Sequence, residues 1–176
     1  MQSKIFLGII GFLLVHVMCQ SQSLWTLANE NKDFLQISTL FTAQNVREYL
    51  STKKGLDEAI KWCKKTGVTH VFIESYRSGY TAQKKMLKNA RDRFLAEGFD
   101  VSGCVTPTKL GKISTGYGMV SCYTNEGTQD SIQNTFEFTA SIFDQIMIDD
   151  FYFTDCECEE CQKARGDRSW EDYRSE

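Results

Sequence analysis

Residues 68–83 read VTHVFIESYRSGYTAQ. A short apolar, β-branched run centred on Val71, Phe72 and Ile73 turns polar at Glu74, Tyr76 and Arg77 and then meets the turn signal Ser78-Gly79. This is a buried strand whose carboxyl end carries chemistry-bearing side chains. On both sides of it the apolar period changes from strand to helix. Upstream, Leu56, Ala59, Ile60 and Cys63 recur at i, i+3, i+4 and i+7 and mark one face of a helix ending at Gly67. Cys63 lies on that face and reads as a buried core thiol. Downstream, Met86, Leu87, Ala90 and Phe94 stripe a second helix that stops at Gly98.

The alternation continues in both directions. DVSGCVT, residues 100–106, is another short strand, closed by Pro107, the only proline of the chain. Lys32 to Leu40 supplies a first strand, joined to the first helix by a polar connection, FTAQNVREYLSTKK. A glycine-rich stretch, LGKISTGYGMVSCYTNEG, leads to a third helix with Ile132, Phe136, Ala140 and Phe143 on one face. FDQIMID then reads as a strand, and the cysteines after it open a fourth helix carrying Ala164 and Trp170. Four strand and helix alternations predict an α/β fold of right-handed βαβ units on a parallel sheet. Two architectures satisfy this: an open doubly wound sheet, or part of a (β/α)8 barrel of the TIM type.

The composition is that of a globular domain: 41% hydrophobic and 24% charged over 176 residues, with a formal net charge of -3. Lys and Arg are scattered along helix faces, which argues against a nucleic-acid partner. The chain opens with MQSKIFLGIIGFLLVHVMCQSQS, in which Lys4 precedes an apolar run from Ile5 to Met18. This predicts a signal peptide over residues 1–21. The run is shorter than the roughly 20 residues a membrane span requires, so no span is expected after cleavage. A lipid anchor at Cys19 is the alternative. The expected location is therefore secreted or periplasmic, with an outer-membrane lipoprotein as the variant of that reading. Residues 22–32 read as a linker and 33–176 as the domain. Six cysteines follow the signal peptide: Cys63, Cys104, Cys122, Cys156, Cys158 and Cys161.

In either architecture ligands meet the carboxyl ends of the strands. Those ends carry Glu74, Tyr76 and Arg77, then Thr106 and Thr108, then Asp149 and Asp150, with Tyr80 and Phe151 close in sequence. No phosphate-binding glycine motif follows any strand. A polar, aromatic and acidic rim of this kind suits a neutral, hydroxyl-rich ligand such as an oligo- or polysaccharide. Glycoside hydrolysis uses two carboxyl groups about 5 to 9 Å apart. Asp149 and Asp150 are the candidate catalytic residues, but neighbours on a strand point to opposite faces and cannot fill both roles. Glu74 or a strand absent from this chain would supply the partner. Glu74, Tyr76, Arg77, Tyr80, Thr106 and Phe151 are the candidate substrate contacts. The competing reading has the aspartates bonding loop amides and capping a helix.

Cys156, Cys158 and Cys161 place three thiols in one short loop, enough for a structural zinc if a fourth ligand arrives from Asp155, Cys122 or His70. A disulfide to Cys122 or Cys104 is the equal alternative. Catalysis itself calls for no cofactor.

IMIDDFYFTDCECEECQKARGDRSWEDYR, with VFIESYRSGY and EGFDVSGCVTP upstream, resembles the N-terminal half of secreted bacterial glycoside-hydrolase-like TIM barrels. The likeness covers about residues 33–174. It implies acidic residues after the fourth strand, here Asp149 and Asp150. In some members, including certain β-galactosidases, a zinc-binding cysteine cluster follows, which would fall on Cys156, Cys158 and Cys161. The chitinase pattern D-x-x-D-x-D-x-E is matched at Asp144 and Asp149 only. Met147 replaces its middle Asp and Phe151 its acid Glu, which argues against a chitinase mechanism.

A full barrel takes about 250 residues. The resemblance therefore implies only the first four βα units of an exported glycosidase, a fragment inactive by itself. The alternative is a non-catalytic carbohydrate-binding or surface protein on the same scaffold.

Overall fold

The computed structural model describes residues 22–175. The signal peptide predicted over residues 1–21 and the alternative lipidation position at Cys19 lie outside these residues. Five strands form one sheet: β1 (Ser38–Phe41), β2 (His70–Arg77), β3 (Tyr80–Thr81), β4 (Asp100–Thr106) and β5 (Ile146–Ile148). The helices are α1 (Leu24–Glu30), α2 (Ala43–Glu48), α3 (Lys53–Thr66), α4 (Lys84–Ala96), α5 (Glu126–Ala140), α6 (Glu159–Arg165) and α7 (Trp170–Arg174).

β1, β2, β4 and β5 run parallel in that order. β3 folds back antiparallel on β2 through Ser78 and Gly79, both with positive φ, as a tight hairpin turn requires. The parallel strands follow one another in sequence order, so the sheet has no switch point of the doubly wound kind. The expected α/β class with a parallel sheet is thus observed.

The helix-facing side of the sheet is apolar. Val71 and Ile73 of β2 pack with Leu56, Ile60 and Cys63 of α3 and Leu87, Ala90 and Phe94 of α4 in the main core. These are the stripes read from the periodicity. A second cluster joins Tyr76, Val105 and Leu110 to Ile132 and Phe136 of α5. Gly103 is required where α5 crosses β4, because a Cβ there would lie 2.7 Å from Phe143 Cδ2.

Three local features differ from the sequence reading. The polar connection 41–54 holds a helix, α2, started by a capping box in which Thr42 and Asn45 exchange side-chain and backbone hydrogen bonds. Residues 24–30 of the segment read as a linker form α1, whose Trp25 ring lies 4.6 Å from that of Phe99. The fourth helix divides into α6 and α7, because Gly166 ends the first with a positive φ and Ser169 caps the second.

Candidate functional site

At the carboxyl end of the sheet, strand geometry departs from regular alternation. Between β2 and β4 the register slips, so that Glu74 and Tyr76 lie opposite Cys104 and Val105 and Ser75 is the extra residue of a bulge. A regular strand would send Glu74 and Arg77 to opposite faces. Here Ser75 turns to the helix side, where its hydroxyl meets Thr139 of α5 at 2.6 Å. Arg77 accordingly returns to the same face as Glu74.

That face gathers four of the residues singled out from sequence. Glu74 is 0% exposed. It accepts from the Arg77 Nε at 3.0 and 2.9 Å, from the Thr106 hydroxyl, and from the Ala43 backbone N–H at the start of α2 at 2.8 Å. The other arm of Arg77 bonds Asp149 Oδ2 at 2.8 Å, and the Thr106 hydroxyl reaches the same oxygen at 3.0 Å. Burial works against the Arg77 charge, but its bonds to Glu74 and Asp149 outweigh it and raise the pKa. Asp149 side-chain exposure is 28%, so it is the carboxylate of the pair that solvent reaches. Cys104 lies on the same face, its Sγ 4.0 Å from Glu74 Oε1. Burial first, and then the two carboxylates, push its thiol up to about 12.

The remaining candidates stand apart. Just past β5, Asp150 is exposed and Asp149 is partly buried. Tyr76 is carried by the bulge into the helix-side cluster, where its hydroxyl donates to the backbone carbonyl of Lys109 at 3.0 Å and accepts from Gly79 N–H. Tyr80 lies on β3, with the Arg47 guanidinium 4.8 Å from its ring centre. Phe151, with φ 77°, stacks on Tyr117 at 6.4 Å.

The cysteines form a second centre. The sulfurs of Cys122, Cys156, Cys158 and Cys161 all lie within 4.8 Å of one another. Three of the separations are 3.4, 3.7 and 3.7 Å. A tetrahedron of thiolates at about 2.3 Å from a metal has edges of about 3.8 Å, so this donor set could hold a metal ion. Cys122 is the fourth sulfur, from the glycine-rich stretch. Asp155 instead accepts from Ser114 and from the Tyr117 N–H and pins that stretch. His70 sits at the other end of the sheet, between Gln36 and Ser102. All six cysteines of the described residues are free thiols, so neither disulfide expected as the alternative is present among them. Burial opposes ionisation of Cys156, but hydrogen bonds at Cys158 and Thr115 prevail and bring its thiol down to about 6.

No solved structure matches this chain. An uncharacterized protein of Saccharolobus solfataricus is 29% identical over 120 residues, 61% of this chain and 20% of that relative. The chain thus spans about a fifth of the length of the curated relative it matches. Residues 22–176 match the family described as "Probable glycosyl hydrolase, catalytic domain". With an acidic and basic constellation at the carboxyl ends of a parallel sheet, and a match that takes in the whole described fold, the chain belongs to that glycosyl hydrolase catalytic-domain family.

Proposed function

We propose that the chain forms the first four βα units of an exported (β/α)8 glycosidase that acts on oligo- or polysaccharides, with Asp149 as its anionic active-site carboxylate. The observation that carries this reading is the placement of Asp149. It is an accessible carboxylate at a strand end, held by Arg77 and Thr106 and braced from beneath by the buried Glu74. Strand order without a switch point supports the barrel.

In the reaction the glycosidic C–O bond breaks, the leaving oxygen takes a proton from an acid, and the anomeric carbon takes the hydroxyl of water. A carboxylate ion-paired to a guanidinium suits the anionic role at the developing positive charge. Asp150, just outside it, meets substrate hydroxyls, and the acid comes from a strand end beyond β5. Glu74 acts through Arg77 rather than on the sugar. The four cysteines hold a structural zinc that fixes the loop after β5. The reading extends to export through the N-terminal leader.

Asp149→Asn keeps the shape and removes the charge. The expected outcome in the full-length barrel is a drop in kcat of about 10²–10⁴-fold on aryl glycosides, with saccharide affinity retained. An unchanged kcat would sink the role of Asp149. A second reading, a non-catalytic carbohydrate-binding protein, draws on the fact that Asp149 is already engaged by Arg77 and Thr106. Saccharide binding by the full-length protein without turnover on any glycoside would favour it.

A further inference from the structure

Beyond Asp149 and Asp150 the chain makes a turn that the carboxylate site does not explain. Phe151 has φ 77°, a left-handed conformation that is unfavourable for an aromatic residue and persists only where the surroundings impose it. The turn sets Tyr152 and Phe153 side by side at the surface, each 53% exposed. They line a cleft of about 840 Å³ together with Tyr123, Tyr173, Gln129 and Arg174. This lies within the size range of small-ligand sites, which pair aromatic walls with a few polar groups.

The walls are held before any ligand arrives. The Tyr152 ring packs on Tyr123 at 5.3 Å and edge-on to Phe136 at 6.1 Å. The Tyr123 hydroxyl donates to the Phe151 carbonyl at 3.2 Å, so it helps to impose the turn. The Tyr173 hydroxyl lies 2.5 Å from that of Thr124, which in turn lies 3.2 Å from Cys161 Sγ. The cleft is therefore built on the sulfur quartet, and ordering it costs little at binding.

Its electrostatics choose among ligands. Arg174 is ion-paired with Glu157 at 3.0 Å and lies over the Trp170 ring, so the charge at the rim is already matched. Aromatic faces beside amide and hydroxyl groups suit a ring with an apolar C–H face and an equatorial belt of hydroxyls. Tyr152 follows Asp149 by three residues, a reach of at most about 11 Å.

We propose that this cleft is a second saccharide subsite, in which Tyr152 and Phe153 stack on a sugar unit remote from the bond at Asp149. The proposal rests on the carbohydrate reading above and extends it to chain-length preference.

The test is isothermal titration of the full chain with neutral gluco-, galacto-, xylo- and manno-configured hexasaccharides, and with the matching disaccharides. Tyr152→Leu/Phe153→Leu keeps apolar packing on Phe136 and removes the stacking faces. The expected result is a tenfold or greater loss of hexasaccharide affinity, larger than any loss for the disaccharide. Equal affinity in the variant, or no hexasaccharide binding by the wild-type chain, overturns the proposal. Should the variant melt early, saturation transfer from aromatic protons of the wild-type chain to the bound sugar decides, and its absence also overturns it. Glycoside hydrolysis is assayed in parallel with the full-length barrel, which carries the acid beyond β5. Ring-dependent binding without hydrolysis sinks the glycosidase reading alone, and hydrolysis with ring-independent binding sinks the cleft alone.

Discussion

Glu74, Arg77, Thr106 and Asp149 were each legible in the sequence as strand-end polar residues, but their meeting was not. The period of a strand separates Glu74 from Arg77, and only the bulge at Ser75 reunites them. Nothing in SYRSG announces a bulge, because register is decided by the partner strand. Cys122 was one of three donors on offer, and choosing it needed the path of the glycine-rich stretch. His70 makes a residue-level forecast. Burial lowers its pKa, and Asp100 offsets this only in part. Its ring contacts Gln36 at 3.0 Å and Ser102 at 2.9 Å. The folded pKa is the depressed one, so the contribution is intact above about pH 6.5, the unfolded value. As pH falls below that, the unfolded chain takes the proton first and stability is lost, until the folded pKa is passed. Melting temperature from pH 8 to 5 should therefore fall less steeply in His70→Gln than in the wild type.

At the scale of elements, the periodic helices were the readable part. The stripe of Leu56, Ile60 and Cys63 and that of Leu87, Ala90 and Phe94 both face the main core. α2 shows no apolar period, although T-A-Q-N carries the capping signal that starts it. A helix of six residues buries too few apolar side chains to show a period. β5, with three residues, is defined more by pairing to β4 than by its own composition. A tight joint between α5 and β4 lies at Gly103, where an added methyl would meet Phe143 at 2.7 and 2.9 Å and Thr139 at 3.0 Å. Gly103→Ala is expected to cost about 1–3 kcal/mol through displacement of α5 from β4, read as a lower urea midpoint. An unchanged midpoint would mean that α5 yields freely.

For the whole molecule, composition and alternation already specified an α/β fold. Strand order was not legible, because the same alternation serves a doubly wound sheet. The sulfur quartet ties the stretch around Cys122 to the segment 156–161, some 35 residues later, outside the sheet. The expectation is one metal per chain by elemental analysis, falling well below one in Cys122→Ser. In that variant trypsin should cut after Lys109 or Lys112 before it cuts the sheet. Equal metal content in variant and wild type would show that the quartet is not the site.

The Thr106 hydroxyl lies between Glu74 and Asp149 with a single hydrogen to give. It is a rotor with two stops and cannot serve both at once. When it leaves Asp149, that carboxylate keeps only its Arg77 bond among those described, whereas Glu74 without it still has more. Glu74 has the Ala43 amide as a further donor, so the shortfall settles on Asp149, at the open side. A ligand hydroxyl that brings its own hydrogen to Asp149 frees Thr106 to commit to Glu74. The site thus carries a standing appetite for hydrogen-bond donors, written into the count of one proton for two acceptors.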